Sequence, residues 1–423
     1  MMKRFAEMTA LFDPCQAGVL RLHDRIVLAP MSRYRCTGQM APNAMTAEYY
    51  AQRASVGGLL IAEATHINPE GTPVWNIYSA IRDNGGEAPG IWTDEQTAAF
   101  RQVVDAVHAR GAYISCQIQH CGRVAQADIK DHPLVQGSGL PIGPVSASAV
   151  QITARAEEGN HYNWDQPSSP PRALDVSEIA RVCEDYAHAA RNAMRAGFDC
   201  VELHAGHGYL INQFLCDSVN KRTDQYGGSI ANRCRLLFEV VAKLVDTVGP
   251  GRVGVRLSPT FKEHIQYFDV SDSDPEALYA AAVQGLNSFP LAYLLLTEPR
   301  AGGLSSPAQD EPAFAAPLSS ARFRELYQGT LIAAGGFTPQ SAARAIEDGH
   351  YDLIAFGRWF LANPDLPERI RRNSPLNVYD REKFYSSGAA GYTDYPDEDG
   401  TMGAAGKYPL MEQGDIGVKL RQS

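Results

Sequence analysis

The sequence predicts a single α/β domain folded as a (β/α)8 TIM barrel. Three observations predict this fold. Eight short apolar runs recur along the chain, helical patterns separate most of them, and each run is nearly continuous in hydrophobicity, as in parallel strands covered on both faces. An open doubly wound sheet is the rival, but no GxGxxG motif follows the first strand.

The eight predicted strands are short and rich in β-branched and other apolar residues. They span Ile26–Ala29, Gly58–Ala62, Ala112–Ile118, Asp199–Leu203, Val253–Leu257, Ala292–Leu296, Leu331–Ala334 and Asp352–Phe356. Capping residues place four of the helices between them. Thr93 and Asp175 open capping boxes, Ser229 begins a third helix, Thr338–Pro339 begins a fourth, and Gly197 ends the second.

The chain has 423 residues, and the barrel uses almost all of them. We expect one domain over 1–423, with a core at about 11–385 and a partly mobile acidic, Gly-rich tail at 386–423. Two long loops follow predicted strands 3 and 6, at His132–Arg172 and Ala301–Pro317. Both lie on the face where active-site lids of such barrels lie.

Composition excludes several classes of protein. Lys and Arg number 38 against 48 Asp and Glu, for a net charge of −10, which argues against a nucleic-acid binder that relies on bulk positive charge. No stretch of about 18 apolar residues and no secretory signal is evident, so we expect a cytoplasmic protein without a membrane partner. The eight cysteines lack CxxC and zinc-ligand spacing, and are interpreted as buried thiols with no metal site.

Chemistry in a barrel of this kind lies at the carboxyl ends of the strands. Gly335, Gly336 and Gly357 follow strands 7 and 8, where backbone amides could approach a phosphate, and Arg358 could add charge-assisted hydrogen bonds. The alternative is that these residues are only turn glycines.

Polar residues also end strands 3, 4 and 5. Arg256 and Gln117 are either ligand-binding groups or ordinary polar caps of the barrel mouth. His204 and His207 lie three residues apart in a turn that leads to Tyr209. They could be structural histidines, zinc ligands, or two donors to a substrate oxygen beside a tyrosine proton donor; the HExxH glutamate of zinc enzymes is missing.

Longer runs of sequence carry a resemblance to a known family. They lie at 25–35, 49–54, 89–93, 204–215, 222–233, 356–360, 363–366, 379–381 and 391–396. Together they resemble the Old Yellow Enzyme family of FMN-dependent ene-reductases, and are most similar to its oxophytodienoate-reductase branch. The resemblance implies non-covalently bound FMN, with NADPH, or else NADH, as the hydride donor.

The same resemblance implies a role for each site residue. The FMN isoalloxazine would be held by Pro30, Met31, Ser32, Ala64, Gln117 and Arg256. The FMN phosphate would be bound by Gly335, Gly336, Gly357 and Arg358. The substrate would be contacted by His204 and His207 as hydrogen-bond donors, Tyr209 as proton donor, and Gln119 and Tyr385 as pocket walls.

Three features depart from the family pattern, and all three bear on substrate choice. Gln119 stands where much of the family has Trp, and the loops at 71–86 and 150–171 differ in length or pattern. The implied reaction is hydride transfer from reduced FMN to the β-carbon of an α,β-unsaturated carbonyl or nitro alkene. The alternatives are a nitroester, quinone or prostaglandin-type reductase, a non-catalytic flavin-binding barrel, and a zinc hydrolase. We expect a monomer or homodimer.

Overall fold

The computed structural model of the chain describes residues 8–72, 86–125, 127, 132, 134–135, 143–153, 168–259, 267–298 and 320–400. The loop predicted at Ala301–Pro317 lies outside these residues, as do most of the two loops that depart from the family pattern and residues 401–423 of the predicted tail. Within the described part of the chain, no helix is both long and apolar enough to cross a membrane.

Eight parallel strands form a closed ring. They are β1 (Ile26–Leu28), β2 (Leu59–Ile61), β3 (Tyr113–Gln119), β4 (Cys200–His204), β5 (Val253–Leu257), β6 (Tyr293–Thr297), β7 (Leu331–Ala334) and β8 (Leu353–Phe356). Each strand pairs with the next along the chain, and β8 pairs with β1 to close the barrel. All eight strands predicted from the sequence are confirmed, and so is the barrel.

Ten helices are described around and above the ring. They are α1 (Ala44–Arg53), α2 (Asp94–His108), α3 (Val176–Ala196), α4 (Leu210–Leu215), α5 (Ile230–Arg233), α6 (Arg235–Val248), α7 (Pro275–Leu286), α8 (Pro339–Glu347), α9 (Arg358–Ala362) and α10 (Leu366–Arg372). The 3-10 turns are Thr9–Phe12, Gly122–Val124, Tyr267–Asp269, Ser320–Leu326 and Arg381–Lys383.

The predicted caps hold the helices where the sequence placed them. Reciprocal capping boxes form at Thr93, Asp175 and Thr338, so each helix begins one residue later. The helix predicted from Ser229 does begin there, but Cys234 divides it into α5 and α6. The one residue that ends α3, Gly197, has a φ of 103°, which a side chain would oppose.

Short strands outside the ring support its two ends. The hairpin Cys15–Ala17 and Leu20–Leu22 packs its apolar residues on the barrel interior, where they share a cluster with Val27, Leu59 and Leu353. Thr65–His66 pairs with β3 beyond the end of β2, and Val145–Ser146 pairs with Arg172–Ala173. The hairpin therefore closes one end of the barrel, leaving the other end for a site.

The chain beyond residue 385 is packed against the barrel. Tyr392 is fully buried and stacks on Tyr49 with 4.2 Å between ring centroids. The backbone N–H of Glu398 donates to a carboxyl oxygen of Asp365 at 2.8 Å. The packed structure thus continues past Tyr385, where we placed the end of the core, to at least Glu398.

Candidate active site

A cavity of about 270 Å³ opens at the carboxyl ends of the barrel strands. All fifteen residues predicted for the site line it, although they come from eight separate places in the chain. Further lining residues that we did not predict include Arg33, Tyr34, Thr297, Phe337, Trp359 and Phe384. The ring geometry brings the predicted residues together because every parallel strand ends on the same face.

One end of the cavity is made for an anion. Gly335 and Gly336 follow β7 with φ values of 116° and 72°, a backbone region that a side chain would oppose. Gly357 and Arg358 stand at the start of α9, directly after β8. Burial lowers the pKa of the Arg358 guanidinium, which still carries its charge at neutral pH. These backbone amides and the guanidinium could hold a phosphate.

A second arginine at the cavity is Arg256. Arg256 projects from β5, and its Nε donates a hydrogen bond to Thr297 Oγ1 at 3.1 Å. Sequence reasoning missed Thr297, although it is the first polar residue after the apolar run of β6, the same signal that identified the ends of other strands. Arg256 and Thr297 together could bind an electron-rich ring edge.

Gln117 is oriented by a buried carboxyl. Its Nε2 donates to Glu202 Oε1 at 2.5 Å, so the other atom of the amide is a carbonyl oxygen, which can only accept. Glu202 is fully buried in β4, two residues before His204. The sequence analysis did not single out Glu202 because a lone polar residue inside a strand carries no recognisable motif.

His204 and His207 form a neutral pair at the cavity wall. The backbone N–H of Gly206 donates to His204 Nδ1 at 3.3 Å, which assigns the imidazole hydrogen of the neutral ring to Nε2. His207 Nδ1 lies 3.4 Å from His204 Nε2. Burial, and then the charge of Arg256, hold the pKa of both rings well below its usual value. Both imidazoles are therefore neutral hydrogen-bond donors at ordinary pH.

The turn after β4 fixes this pair. His207 has a φ of 53°, an unusual conformation for a residue with a side chain, and its backbone N–H donates to Ser258 Oγ at 2.6 Å. The next turn begins α4 with Tyr209 as its N-cap, which places the Tyr209 ring edge-on to His204 at 5.1 Å between centroids. The phenol and the two imidazoles thus share one wall.

Two further residues shape the remaining wall. Gln119 Nε2 donates to Cys121 Sγ at 3.1 Å, while Gln119 Oε1 is buried without a hydrogen-bond partner among the described residues. Tyr385 packs edge-on to Tyr34 with 5.7 Å between centroids, and burial raises the pKa of its phenol. The structure therefore places both predicted pocket residues at the cavity.

No group of three His, Cys, Asp or Glu side chains that could hold a metal ion occurs in the described ranges. All eight cysteines fall within those ranges and are free thiols, six of them buried. The described residues of the cavity therefore provide hydrogen-bond donors and acceptors, the guanidinium groups of Arg33, Arg256 and Arg358, and the phenols of Tyr34, Tyr209 and Tyr385.

Comparison with known proteins decides which ligand fits these groups. A sequence model of the NADH:flavin oxidoreductase / NADH oxidase family matches residues 10–377. The chain belongs to this family of flavin oxidoreductases. This flavin oxidoreductase is 41% identical over 396 residues to 12-oxophytodienoate reductase 2 of Arabidopsis thaliana, covering 92% of this chain and 96% of that one. It is 44% identical over 390 residues to 12-oxophytodienoate reductase 1 of Oryza sativa subsp. japonica, with coverages of 91% and 92%.

Solved structures agree. Morphinone reductase superimposes on this flavin oxidoreductase with a TM-score of 0.76 at 40% identity, covering 92% of this chain and 96% of that one. The Old Yellow Enzyme homologue from Zymomonas mobilis gives 0.77 at 37% identity, with coverages of 91% and 99%. A further structure holds morphinone reductase in complex with tetrahydroNAD. The predicted membership of the Old Yellow Enzyme family is confirmed, and the protein is an FMN-dependent oxidoreductase of that type.

Proposed function

We propose that the cavity binds FMN and that the enzyme reduces electron-poor alkenes whose double bond is conjugated to a carbonyl or nitro group. The observation that carries this proposal is the placement of the neutral His204 and His207 pair beside Tyr209, between an anion-binding end and the Arg256 wall. FMN would supply the hydride chemistry, and the protein supplies orientation and electrostatics.

The residues fit FMN at both ends. Gly335, Gly336, Gly357 and Arg358 offer amides and a charge to the phosphate, and the positive φ values of Gly335 and Gly336 favour glycine at both positions. Arg256 would face the pyrimidine edge of the ring system and favour negative charge there. The oxygen of Gln117 would accept from an N–H of the same edge. Pro30, Met31, Ser32 and Ala64 would pack against the ring system.

The two imidazoles would donate to the carbonyl or nitro oxygen of the substrate. Because both are neutral and already in place, they require little reorganisation as negative charge develops on that oxygen. This interaction strengthens in the transition state, so it accelerates the reaction more than it tightens binding of the substrate. Tyr209 would deliver the proton to the α-carbon, and Gln119 and Tyr385 would select the substrate.

The relatives' names support a substrate with a ketone, since they are reductases of 12-oxophytodienoate and morphinone. We further propose NADPH, in preference to NADH, as the source of hydride. A single catalytic domain, a cytoplasmic location and a monomeric or homodimeric state are also proposals, and size-exclusion chromatography with light scattering tests the last.

The variants H204A and Y209F test the catalytic roles. Each should slow alkene reduction by about 10²–10³-fold, the usual cost of removing one preorganised donor, while FMN stays bound. Stopped-flow measurement of the two half-reactions separates reduction by NADPH, which should change little, from reduction of the alkene. Y34F removes a phenol from the same cavity and should react at nearly the wild-type rate. Full alkene turnover in both H204A and Y209F would overturn these assignments.

A further inference from the structure

The barrel interior directly beneath the cavity is polar. Barrel interiors of this kind are normally filled with layers of branched apolar side chains. Here Ser115 and Gln117 of β3, Glu202 of β4 and Tyr293 of β6 occupy that space, and all four are buried. The ladder pairs Gln117 with Glu202, and Tyr293 OH donates to Ser115 Oγ at 3.0 Å. We call these four residues the polar layer.

Close packing fixes the polar layer around Glu202. Gly254 of β5 pairs with Glu202 on one side and with Tyr293 on the other. A Cβ at Gly254 would lie 2.4 Å from two atoms of the Tyr293 ring, so only glycine leaves room for that ring beside the carboxyl. The arrangement therefore depends on a particular residue on each of four neighbouring strands.

Glu202 is incompletely satisfied within this layer. Oε1 accepts the hydrogen bond from Gln117, whereas Oε2 is buried with no partner of good hydrogen-bond geometry in the described part of the chain. The Tyr293 hydroxyl also acts on the carboxyl, although its hydrogen is donated to Ser115 Oγ. A buried carboxyl is normally fully hydrogen-bonded or paired, because an unsatisfied oxygen weakens the fold. A purely structural role would be better served by a neutral or apolar residue of similar size.

The charged and titratable groups that face Glu202 are few. Arg256 acts on it from β5 and Tyr293 from β6, while Gln117 of β3 contributes a neutral donor. Burial raises the pKa of the Glu202 carboxyl to about 7, and the charge of Arg256 and the hydrogen bonds of Gln117 and Tyr293 oppose that rise. Arg256 and Gln117 line the cavity, but Glu202 and Tyr293 lie behind them.

We propose that Glu202 is a positioning residue for the pyrimidine edge of the cofactor: it fixes the Gln117 amide with its oxygen toward the cavity and balances the charge of Arg256. This inference rests on the proposed binding of FMN. Beyond the binding of FMN, it assigns a function to Glu202, a buried residue that would touch neither cofactor nor substrate. Glu202 would thereby influence the reduction potential of FMN bound in the cavity.

The sign of the effect follows from the charge. Below pH 7 Glu202 is mainly protonated and Arg256 acts with its full positive charge on the cavity. Above pH 7 Glu202 is ionised, and its negative charge offsets Arg256 and disfavours reduction of bound FMN. Gln at this position copies the protonated form at every pH, because it is neutral and has nearly the same shape.

The test is the midpoint potential of bound FMN in the purified wild type and in E202Q, measured from pH 6 to pH 8 by dye equilibration. We expect similar potentials at pH 6. At pH 8 the equilibrium constant for reduction should be about tenfold larger in E202Q, which is about 30 mV for a two-electron couple. E202D keeps the charge and should keep the pH dependence of the wild type.

The matched control is E63Q, which neutralises another buried carboxyl near the cavity and should leave the difference between pH 6 and pH 8 unchanged. Parallel potentials of wild type and E202Q across this range would overturn the inference, even if E202Q binds FMN less tightly. Failure of the wild type itself to bind FMN would instead overturn the proposed function. The two failures are therefore distinguishable.

Discussion

Glu63 and Glu202 are both buried carboxyls at the cavity end of the barrel, yet their surroundings differ. Glu63 Oε2 accepts from the backbone N–H of Arg33 at 2.9 Å, and the guanidinium groups of Arg33 and Arg35 act on it. Glu202 Oε1 accepts from Gln117, Oε2 meets the geometric criterion for a hydrogen bond with none of the described residues, and the Tyr293 hydroxyl also acts on the carboxyl. Burial raises the pKa of both carboxyls. The Arg33 amide and two guanidinium groups oppose that rise at Glu63, whereas at Glu202 a single guanidinium, that of Arg256, and the hydrogen bonds of Gln117 and Tyr293 oppose it.

The region around Glu63 has a structural task. Arg33, Arg35 and Arg53 donate to backbone oxygens far along the chain: Arg33 Nη2 bonds Gly391 O at 2.6 Å, and Arg53 Nη2 bonds Leu361 O at 2.5 Å. Arg35 and Arg53 also lie over the rings of Tyr392 and Tyr49. We call these three residues the arginine cluster. It anchors the C-terminal segment that carries Tyr385 to the cavity wall.

The difference shows how one fold uses buried charge in two ways. The arginine cluster is surrounded by carbonyl oxygens and one carboxylate, so removing a partner leaves a charge unsatisfied. The polar layer holds a carboxyl that can lose its proton near neutral pH at a cost to stability. The free energy of unfolding should therefore depend on Glu63 because its carboxylate compensates buried arginine charge. It should depend on Glu202 in a way that changes with pH, because Glu202 can lose its proton near neutral pH.

The largest effect is expected from E63A. Removing the carboxylate whose charge acts with Arg33 and Arg35 should lower the free energy of unfolding by about 3–5 kcal/mol, the usual cost of leaving a buried charge uncompensated. Urea unfolding followed by circular dichroism measures it. E63Q retains an acceptor for the Arg33 amide and should lose less. Equal free energies of unfolding for E63A and wild type would contradict the claim that Glu63 compensates the buried charge of Arg33 and Arg35.

A smaller, pH-dependent effect is expected from E202Q. Because the folded pKa of Glu202, about 7, lies above its ordinary value of 4.5, its contribution to stability is present below pH 4.5 and is lost as pH rises through 7. The loss is on the order of 3 kcal/mol. E202Q lacks it, so its stability relative to wild type should improve between pH 5 and pH 8. A relative stability independent of pH would contradict this prediction.

The smallest effect is expected from Y50F. Tyr50 OH accepts the hydrogen bond from the backbone N–H of Glu63 at 2.8 Å, and both residues are buried. Loss of that acceptor should cost about 1 kcal/mol in the free energy of unfolding without altering FMN binding. Thermal unfolding of the FMN-bound protein measures the first and flavin fluorescence the second. A change in FMN affinity would contradict this prediction, because it would show that the hydrogen bond between Tyr50 and Glu63 also supports the FMN-binding cavity.

Much of this architecture could be predicted from the sequence, because its signals are local. Each barrel strand is a short apolar run, and Thr93, Asp175 and Thr338 are caps whose partners lie three residues away. The ends of the strands then gave every predicted site residue except Tyr385 a place at the cavity; Tyr385 was predicted from the family resemblance. This prediction is possible because all eight parallel strands have their carboxyl ends on the same face of the barrel.

The unpredicted parts depend on contacts between distant residues. Arg33 and Gly391 are 358 positions apart, and nothing in either local sequence indicates that they meet. Glu202 acquires its properties only from neighbours on three other strands. Thr297 could have been found, because it ends the apolar run of β6 as Ser258 follows that of β5.

The central claim is that this protein uses FMN to pass hydride from a nicotinamide nucleotide to an electron-poor alkene. Its most direct test is the visible spectrum of the purified protein under nitrogen, recorded as NADPH and then 2-cyclohexenone are added. The account predicts a yellow protein that bleaches with NADPH and regains its colour with the enone. A colourless protein that FMN cannot reconstitute, or a bleached one whose colour no conjugated enone or nitro alkene restores, would contradict it.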